Sequence, residues 1–298
     1  MYVNRVNTHI LPRFEYHAPS NLKQALELLS RYGRDAKPLA GGTDLLIAMK
    51  ERRVEVKHLI NIKNIEELNG IEERGNGIQI GAATKHRTIE KSELLREKLP
   101  LLCEAVRHIG SIQVRNMATV GGNLCNANPC ADSATALLAL DAQASIMSSS
   151  MARTVPLEKF FLGTNKTVLG PDEILVEVLV PRLEKGMGTS FLKIGWTKFD
   201  IATVNLAVVL KMKRESVEHC RVALGACTPI PVRAYKVEGF MEGKELTERT
   251  LEEAGSIIRE EIQPRERWRR APPEYRKATA DALLKDALRI ARERIKKR

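Results

Sequence analysis

Two glycine pairs set the strongest limits on what this chain can fold into. The first lies in Leu39-Ala40-Gly41-Gly42-Thr43-Asp44-Leu45-Leu46, after an apolar stretch from Ala36 to Ala40 and before a helical pattern over Asp44 to Met49. The order there is strand, glycine turn, helix. The second lies in Thr119-Val120-Gly121-Gly122-Asn123. A residue without a β-carbon lets the backbone turn sharply and lets its N–H groups approach phosphate oxygens closely. Thr43 and Thr119 add a hydroxyl beside each pair, and Asn123 adds an amide, so a phosphate could be held without any lysine. A single Gly-Gly pair is more often a plain turn. Local chemistry therefore leaves open both a phosphate cradle and a pair of turns.

Rival nucleotide motifs fail on spacing. Gly75-Asn76-Gly77-Ile78-Gln79-Ile80-Gly81 misses the dinucleotide fingerprint by one residue and reads as a hairpin turn. Gly239 to Glu245 is one residue too short for a P-loop and carries glutamate where a Mg²⁺-binding hydroxyl belongs, which excludes nucleoside triphosphate hydrolysis.

The chain divides by pattern into three units. Ser20 or Asn21 can cap a first helix, with Gln24 three residues after Asn21, Leu22, Ala25, Leu26 and Leu29 give it one apolar face, and Gly33 ends it. A strand over His58 to Ile62 completes a first unit, residues 1–60. In the second, residues 61–181, strands are expected over Ile78 to Ala82, Ala144 to Met147 and Glu173 to Val180, with a helix starting at Pro100 and a buried helix over Ala131 to Leu140. The third, residues 182–298, begins with longer strands, Thr189 to Ile194, Thr203 to Met212 and Cys220 to Ala226, and continues as helices from Arg233.

The net charge of +11 raises the question of nucleic-acid binding, and its location answers more than its size. From Arg265 to Arg298, 13 Lys or Arg stand against five Asp or Glu, so +8 of the +11 lies in that segment. Its apolar residues, Ala280, Leu283, Leu284, Ala287, Leu288, Ala291 and Ile295, recur at helical spacing. With only 4% aromatic residues to stack on bases, a solvated or subunit-facing helix is the preferred expectation over a nucleic-acid tail. The apolar run around Ala134 to Leu140 falls far short of the roughly 20 residues that span a bilayer, and Met1 to Asn7 lack a signal-peptide core. With five sparse cysteines, the expectation is a cytoplasmic protein with reduced thiols.

Ile112-Gln113-Val114-Arg115-Asn116-Met117-Ala118-Thr119-Val120-Gly121-Gly122-Asn123-Leu124-Cys125-Asn126, continuing to Asp132, resembles the second flavin loop of the FAD-binding medium subunits of molybdenum hydroxylases. That family takes in bacterial carbon monoxide dehydrogenases, nicotinate and aromatic-ring hydroxylases, and the flavin domain of xanthine dehydrogenase. Ile80 to Thr84, Asp172 to Leu175, Asp200 to Ala202 and Glu274 to Arg276 match it in the same order. The resemblance implies an α+β, vanillyl-alcohol-oxidase-type (PCMH-type) fold: two α+β subdomains holding FAD, then a C-terminal domain with a small antiparallel sheet and helices. By position, Leu39, Ala40, Gly41, Gly42, Thr43, Asp44 and Leu45, with Thr119, Val120, Gly121, Gly122 and Asn123, would wrap the pyrophosphate and ribityl chain. Asp132 would bond polar groups of the cofactor, and Leu175 and Lys193 align with further flavin contacts.

Some positions remain two-sided. Asp132 also suits the first turn of a helix, where it would favour the dipole, and a strand lysine such as Lys193 is ordinarily solvated. Ile109 stands where xanthine dehydrogenases carry phenylalanine, and Gly195-Trp196-Thr197-Lys198 replaces a more basic run. Cys125 and Cys130 lack further ligands at iron–sulfur spacing. The six histidines show no pair at helical or turn spacing beside a carboxylate, so no metal site is expected, and His86 and His108 read as surface or boundary residues.

The family implies partners that this sequence does not contain. These are a small subunit with two [2Fe–2S] clusters and a large molybdenum-cofactor subunit, assembled as a dimer of heterotrimers, with an external electron acceptor. The expected role is electron relay through FAD, with no side chain acting as a general base. A stand-alone flavin oxidase and a nonenzymatic binding module with a basic docking helix are the alternatives.

Overall fold

In the computed structural model, which describes residues 10–197, 199–264 and 271–296, three larger sheets follow one another along the chain, with a fourth of two short strands. The first unit contains β1 (Glu15–His17), α1 (Leu22–Tyr32), β2 (Ala36–Leu39), α2 (Leu45–Lys50) and β3 (His58–Asn61). Its strands are parallel in the order β1-β3-β2. Parallel neighbours need a crossover, and α2 supplies it between β2 and β3. The helix signals act as their chemistry dictates. Asn21 Oδ1 accepts from the Gln24 N–H at 3.0 Å, and Gly33, at φ +50°, ends α1. Leu22, Ala25, Leu26 and Leu29 lie in one core with Ala36, Ile60 and Ile62.

The second unit runs through β4 (Ile71–Arg74), β5 (Gly77–Gly81), α3 (His86–Lys91), α4 (Glu93–Lys98), α5 (Pro100–Val106), α6 (Ile112–Met117), α7 (Val120–Asn126) and α8 (Asp132–Ala139). It ends with β6 (Gln143–Met147), β7 (Ala152–Pro156), the small pair β8 (Phe161–Gly163) and β9 (Lys166–Thr167), and β10 (Ile174–Pro181). Its antiparallel sheet has the order β4-β5-β10-β6-β7. The expected turn at Gly75-Asn76-Gly77 joins β4 to β5, with Gly75 at φ +55°. Every residue of α8 is buried, which explains why its sequence is small and apolar all round instead of striped.

The third unit is an antiparallel sheet of β11 (Met187–Ile194), β12 (Val204–Lys213), β13 (Ser216–Gly225) and β14 (Val232–Arg233), followed by α9 (Tyr235–Met241), α10 (Glu248–Glu261) and α11 (Pro273–Lys296). Strand side chains alternate between faces. In β12, Leu206, Val208 and Leu210 join a core with Leu284, Leu288 and Ala291 of α11, while Ala207 and Val209 join the core of the second unit. The sheet is thus covered on both sides, which is why Val204 to Leu210 carries almost no polar residue.

The basic C-terminal segment is a packing element over its described part. Arg294 pairs with Glu104, Lys285 with Glu252 and Asp281, Arg289 with Glu248, and Arg292 with Glu215. Its charges therefore meet the acids of neighbouring elements. The basic run at 265–270 and the last two residues lie outside the described residues. Among the described residues, no helix is long and apolar enough to cross a membrane.

Close approach of α11 to β11 depends on Gly188, where an added β-carbon would overlap the backbone carbonyl of Ala291. Gly188→Ala should destabilise the chain by about 1–3 kcal/mol, the usual cost of overpacking. Gly239→Ala, in α9 with no atom near its would-be β-carbon, should be neutral or stabilising. Urea unfolding followed by circular dichroism measures both.

Candidate functional site

The first glycine segment is a turn that opens a helix. Gly42 takes φ +73°, a left-handed conformation that L side chains rarely adopt, and its carbonyl accepts from Leu46 N–H at 3.0 Å to start α2. Leu39 is buried behind the turn with Met49 and Leu59. Among the described residues, the backbone N–H groups of Gly41, Gly42, Thr43, Asp44 and Leu45 have no protein acceptor. Asp44 is exposed, and Ala40, Thr43 and Leu45 are half-buried. The turn therefore presents consecutive donors with a hydroxyl beside them, and it suits an anion.

The second segment differs, although its sequence looks alike. It is the start of α7, capped by Thr119, whose Oγ1 accepts from Gly122 N–H at 3.0 Å. Val120 N–H donates to Thr84 O, Gly121 N–H to Ala82 O and Asn123 N–H to Thr119 O, at 2.8 to 3.0 Å. All four of these N–H groups have acceptors within the protein. Gly121 is small for packing, because a β-carbon there would lie 2.6 Å from the Ala82 side chain. What this segment can still offer is the Asn123 side chain, whose Oδ1 accepts from the Ser133 hydroxyl at 2.6 Å, leaving the amide nitrogen as a donor.

The two segments meet. A β-carbon at Gly41 would come within 2.7 Å of Ala118 Cα and still closer to the Met117 carbonyl, and one at Gly122 would stand 3.8 Å from the Ala40 side chain. Segments nearly eighty residues apart in the chain are thus in contact.

Asp132 and Lys193 form a buried ion pair. Asp132 Oδ2 accepts from Lys193 Nζ at 2.7 Å, and Oδ1 accepts from Asn205 Nδ2 at 2.6 Å. Lys193 also donates to the His108 carbonyl at 2.8 Å. Both charged side chains are about 5% exposed, so Lys193 is not the solvated strand lysine its surroundings in sequence suggested. Burial pushes the Asp132 carboxyl up to about 6, against the opposing pull of Lys193 and Asn205.

Ile109 is half-buried on a turn organised from below by Arg115, which donates to the carbonyls of Ile109 and Gly110 at 3.0 Å and pairs with Glu90 at 3.0 Å. Burial would raise the Glu90 carboxyl, but Arg87 and Arg115 outweigh it and hold it low. Leu175 is buried in the second unit's core beside a bulge in β10. His108 is half-buried, as expected. His86 is not: it is fully buried under the second segment, its N–H bonded to Ala118 O, and neither ring nitrogen has a partner. Burial, then the nearby Arg115 charge, lower it to about 3, so the imidazole is neutral. Cys125 is exposed and Cys130 buried.

Sequence patterns missed Asn205, Ser133, Thr135 and Arg115. Thr135 Oγ1 donates to Asn205 Oδ1 at 2.9 Å, which extends the network around Asp132. The available signal was a polar residue at an inward position, as with Asn205 inside the apolar run of β12, since such a group must find a partner.

Comparison with known proteins fits this arrangement. Residues 12–183 match the model of the FAD binding domain in molybdopterin dehydrogenase, and residues 194–291 that of the CO dehydrogenase flavoprotein C-terminal domain. The chain is 37% identical to the carbon monoxide dehydrogenase medium chain of Hydrogenophaga pseudoflava, covering 95% of this chain and 98% of that one. It is 33% identical to the xanthine dehydrogenase FAD-binding subunit of Escherichia coli O157:H7, covering 92% and 94%. Among solved structures, carbon monoxide dehydrogenase from H. pseudoflava, in a form lacking the Mo-pyranopterin moiety, superposes with TM-score 0.93 at 38% identity over 96% of this chain and 99% of that one. Quinoline 2-oxidoreductase from Pseudomonas putida 86 gives 0.90 at 28%, over 95% and 98%.

The buried pair makes two predictions. Asp132→Asn should cost about 3–5 kcal/mol by stranding the Lys193 charge, and Asp132→Asn with Lys193→Met should recover part of that loss in denaturant unfolding. The folded Asp132 carboxyl keeps its proton to about 6 against an ordinary 3.8, so the folded chain binds more protons between those values. Its contribution to stability therefore falls as pH rises through that window and is lowest above it. Carboxyl ¹³C NMR should show one aspartate titrating near the upper limit.

Proposed function

The chain belongs to the family of FAD-binding subunits of molybdenum hydroxylases, and on that premise we propose that FAD sits where its two glycine segments meet and relays electrons between partner subunits and an external acceptor. The observation that carries the placement is the run of N–H donors at Gly41 to Leu45, left free while the equivalent amides of the second segment are spent. A diphosphate accepts such bonds without needing a lysine, and the left-handed Gly42 sets the turn that aligns them. The residues present fit the cofactor.

In this reading Thr43 and Asn123 add side-chain donors, Ala40 and Gly122 bring the segments into register, and Thr119 fixes the start of α7. Leu39, Val120 and Leu175, all buried, contribute by excluding water. Asp132 and Lys193 hold a fixed, buried charge pair beside the turn carrying Ile109, where it tunes the electrostatics of a bound ring. FAD, when bound, accepts electrons singly and passes them on singly or in pairs.

The donors would be the [2Fe–2S] clusters of a small subunit, reduced in turn by a large subunit carrying the molybdenum cofactor, in a dimer of heterotrimers in the cytoplasm. An exposed apolar group in the segment after Lys193, made of Trp196, Phe199 and Ile201, supports a partner-facing surface there. Lys198 of that segment lies outside the described residues.

The purified complex should release one equivalent of FAD per chain on acid extraction, and its flavin absorbance should bleach when the iron–sulfur clusters are reduced. A folded complex without flavin would overturn the proposal. Gly41→Val and Gly42→Val should each lower flavin content at least tenfold while far-UV circular dichroism stays close to that of the parent.

A further inference from the structure

On the far side of the first unit, the parallel register of β1 and β3 collects three potential ligands that sequence spacing did not reveal. Glu15 and His17 are two apart on β1 and so share a face. His58 is level with Glu15 across the ladder, with His17 opposite Ile60, so the second imidazole arrives on that same face from residues more than forty positions away.

His17 Nε2 lies 3.2 Å from His58 Nδ1, and Glu15 Oε2 lies 3.2 Å from His58 Nδ1 and 3.9 Å from His17 Nε2. Tyr32 of α1 stacks on His58 with ring centroids 3.6 Å apart and planes 12° apart, and on His17 at 5.3 Å, which limits how either imidazole can turn. The imidazoles are mostly buried, while Glu15 is 70% exposed and free to adjust. Among the described residues, this is a set of three ligand-type side chains with donor atoms within 4.8 Å of one another.

We propose that Glu15, His17 and His58 form a site for a divalent transition-metal ion of the zinc type, which ties β1 to β3. Ligands about 2.0–2.1 Å from a tetrahedral Zn²⁺ stand roughly 3.3 Å from one another, and two of the three separations already match. Two neutral imidazoles and one carboxylate suit a borderline cation and would exclude hard ions such as Mg²⁺. Three protein ligands leave a fourth position for water. His17 also borders a solvent-open groove of about 440 Å³ lined by Tyr16, Gln24, Glu27 and Arg31, through which water can reach it. The site is independent of the flavin assignment, since it uses none of the residues of the glycine segments.

The test uses the tag-free full chain, stripped with a chelator and titrated with Zn²⁺ by calorimetry, then examined by zinc X-ray absorption. The expected result is one equivalent bound with a nitrogen and oxygen shell including two imidazoles, and at least tenfold weaker binding in His17→Gln and His58→Gln at unchanged flavin content. Should either variant misfold, Glu15→Lys, at an exposed side chain, must also weaken binding at least tenfold. Absence of stoichiometric binding, sulfur in the shell, or folded variants that bind as the parent does would overturn the proposal.

Discussion

The Asp132 carboxylate is the point on which the three-unit arrangement depends. It stands at the first residue of a helix buried on every side, and it bonds to one side chain from each of two strands of the third unit, Lys193 of β11 and Asn205 of β12. Its neighbour Ser133 bonds to Asn123 in the second glycine segment. One helix start thereby fixes the site segment on one side and the C-terminal sheet on the other. A buried ion pair returns little net stability once desolvation is counted. What it provides is register, because a slip of β11 or β12 by one residue would leave a charge or an amide unpartnered.

The two Gly-Gly pairs show how far chemistry can diverge under similar letters. At Gly41 and Gly42 the chain leaves a strand edge, takes a left-handed step and has not yet begun helical pairing, so its amides stay free. At Gly121 and Gly122 the chain is already in the first turn of α7, and the 82–84 stretch accepts from two of the segment's amides, those of Val120 and Gly121. The small size of Gly121 answers the need to pass beside Ala82, and that of Gly41 the need to pass beside Met117 and Ala118.

Much of the fold was legible because its signals are local. Capping by Asn21, the apolar stripe of α1, the turn at Gly75 to Gly77 and the long strands β11 to β13 each follow from a few adjacent residues. The strand order could not be read this way, nor could the short helices α3, α6 and α7, whose six or seven residues span too few turns to show a period. Of the candidate site residues, the second glycine segment and Asp132 were marked by the family motif, and the first segment by its own glycine pair. Asn205 and the burial of His86 were not, since each depends on which element happens to lie opposite. The same limit hid the meeting of His17 with His58, set by a strand register that no spacing within the sequence encodes.

The double covering of the third sheet has a consequence for how the chain folds. Leu206, Val208 and Leu210 of β12 find their partners in α11, some eighty residues later, and between them lies the whole of β13, α9 and α10. During synthesis, the strands emerge well before the helix that shields them. Contacts of such long sequence separation form slowly, and an apolar sheet face left bare in the interval favours aggregation. The opposite face, carrying Ala207 and Val209, has its partners in the already emerged second unit. The earlier units thus serve as a template on which the nascent sheet can rest until its last helix arrives.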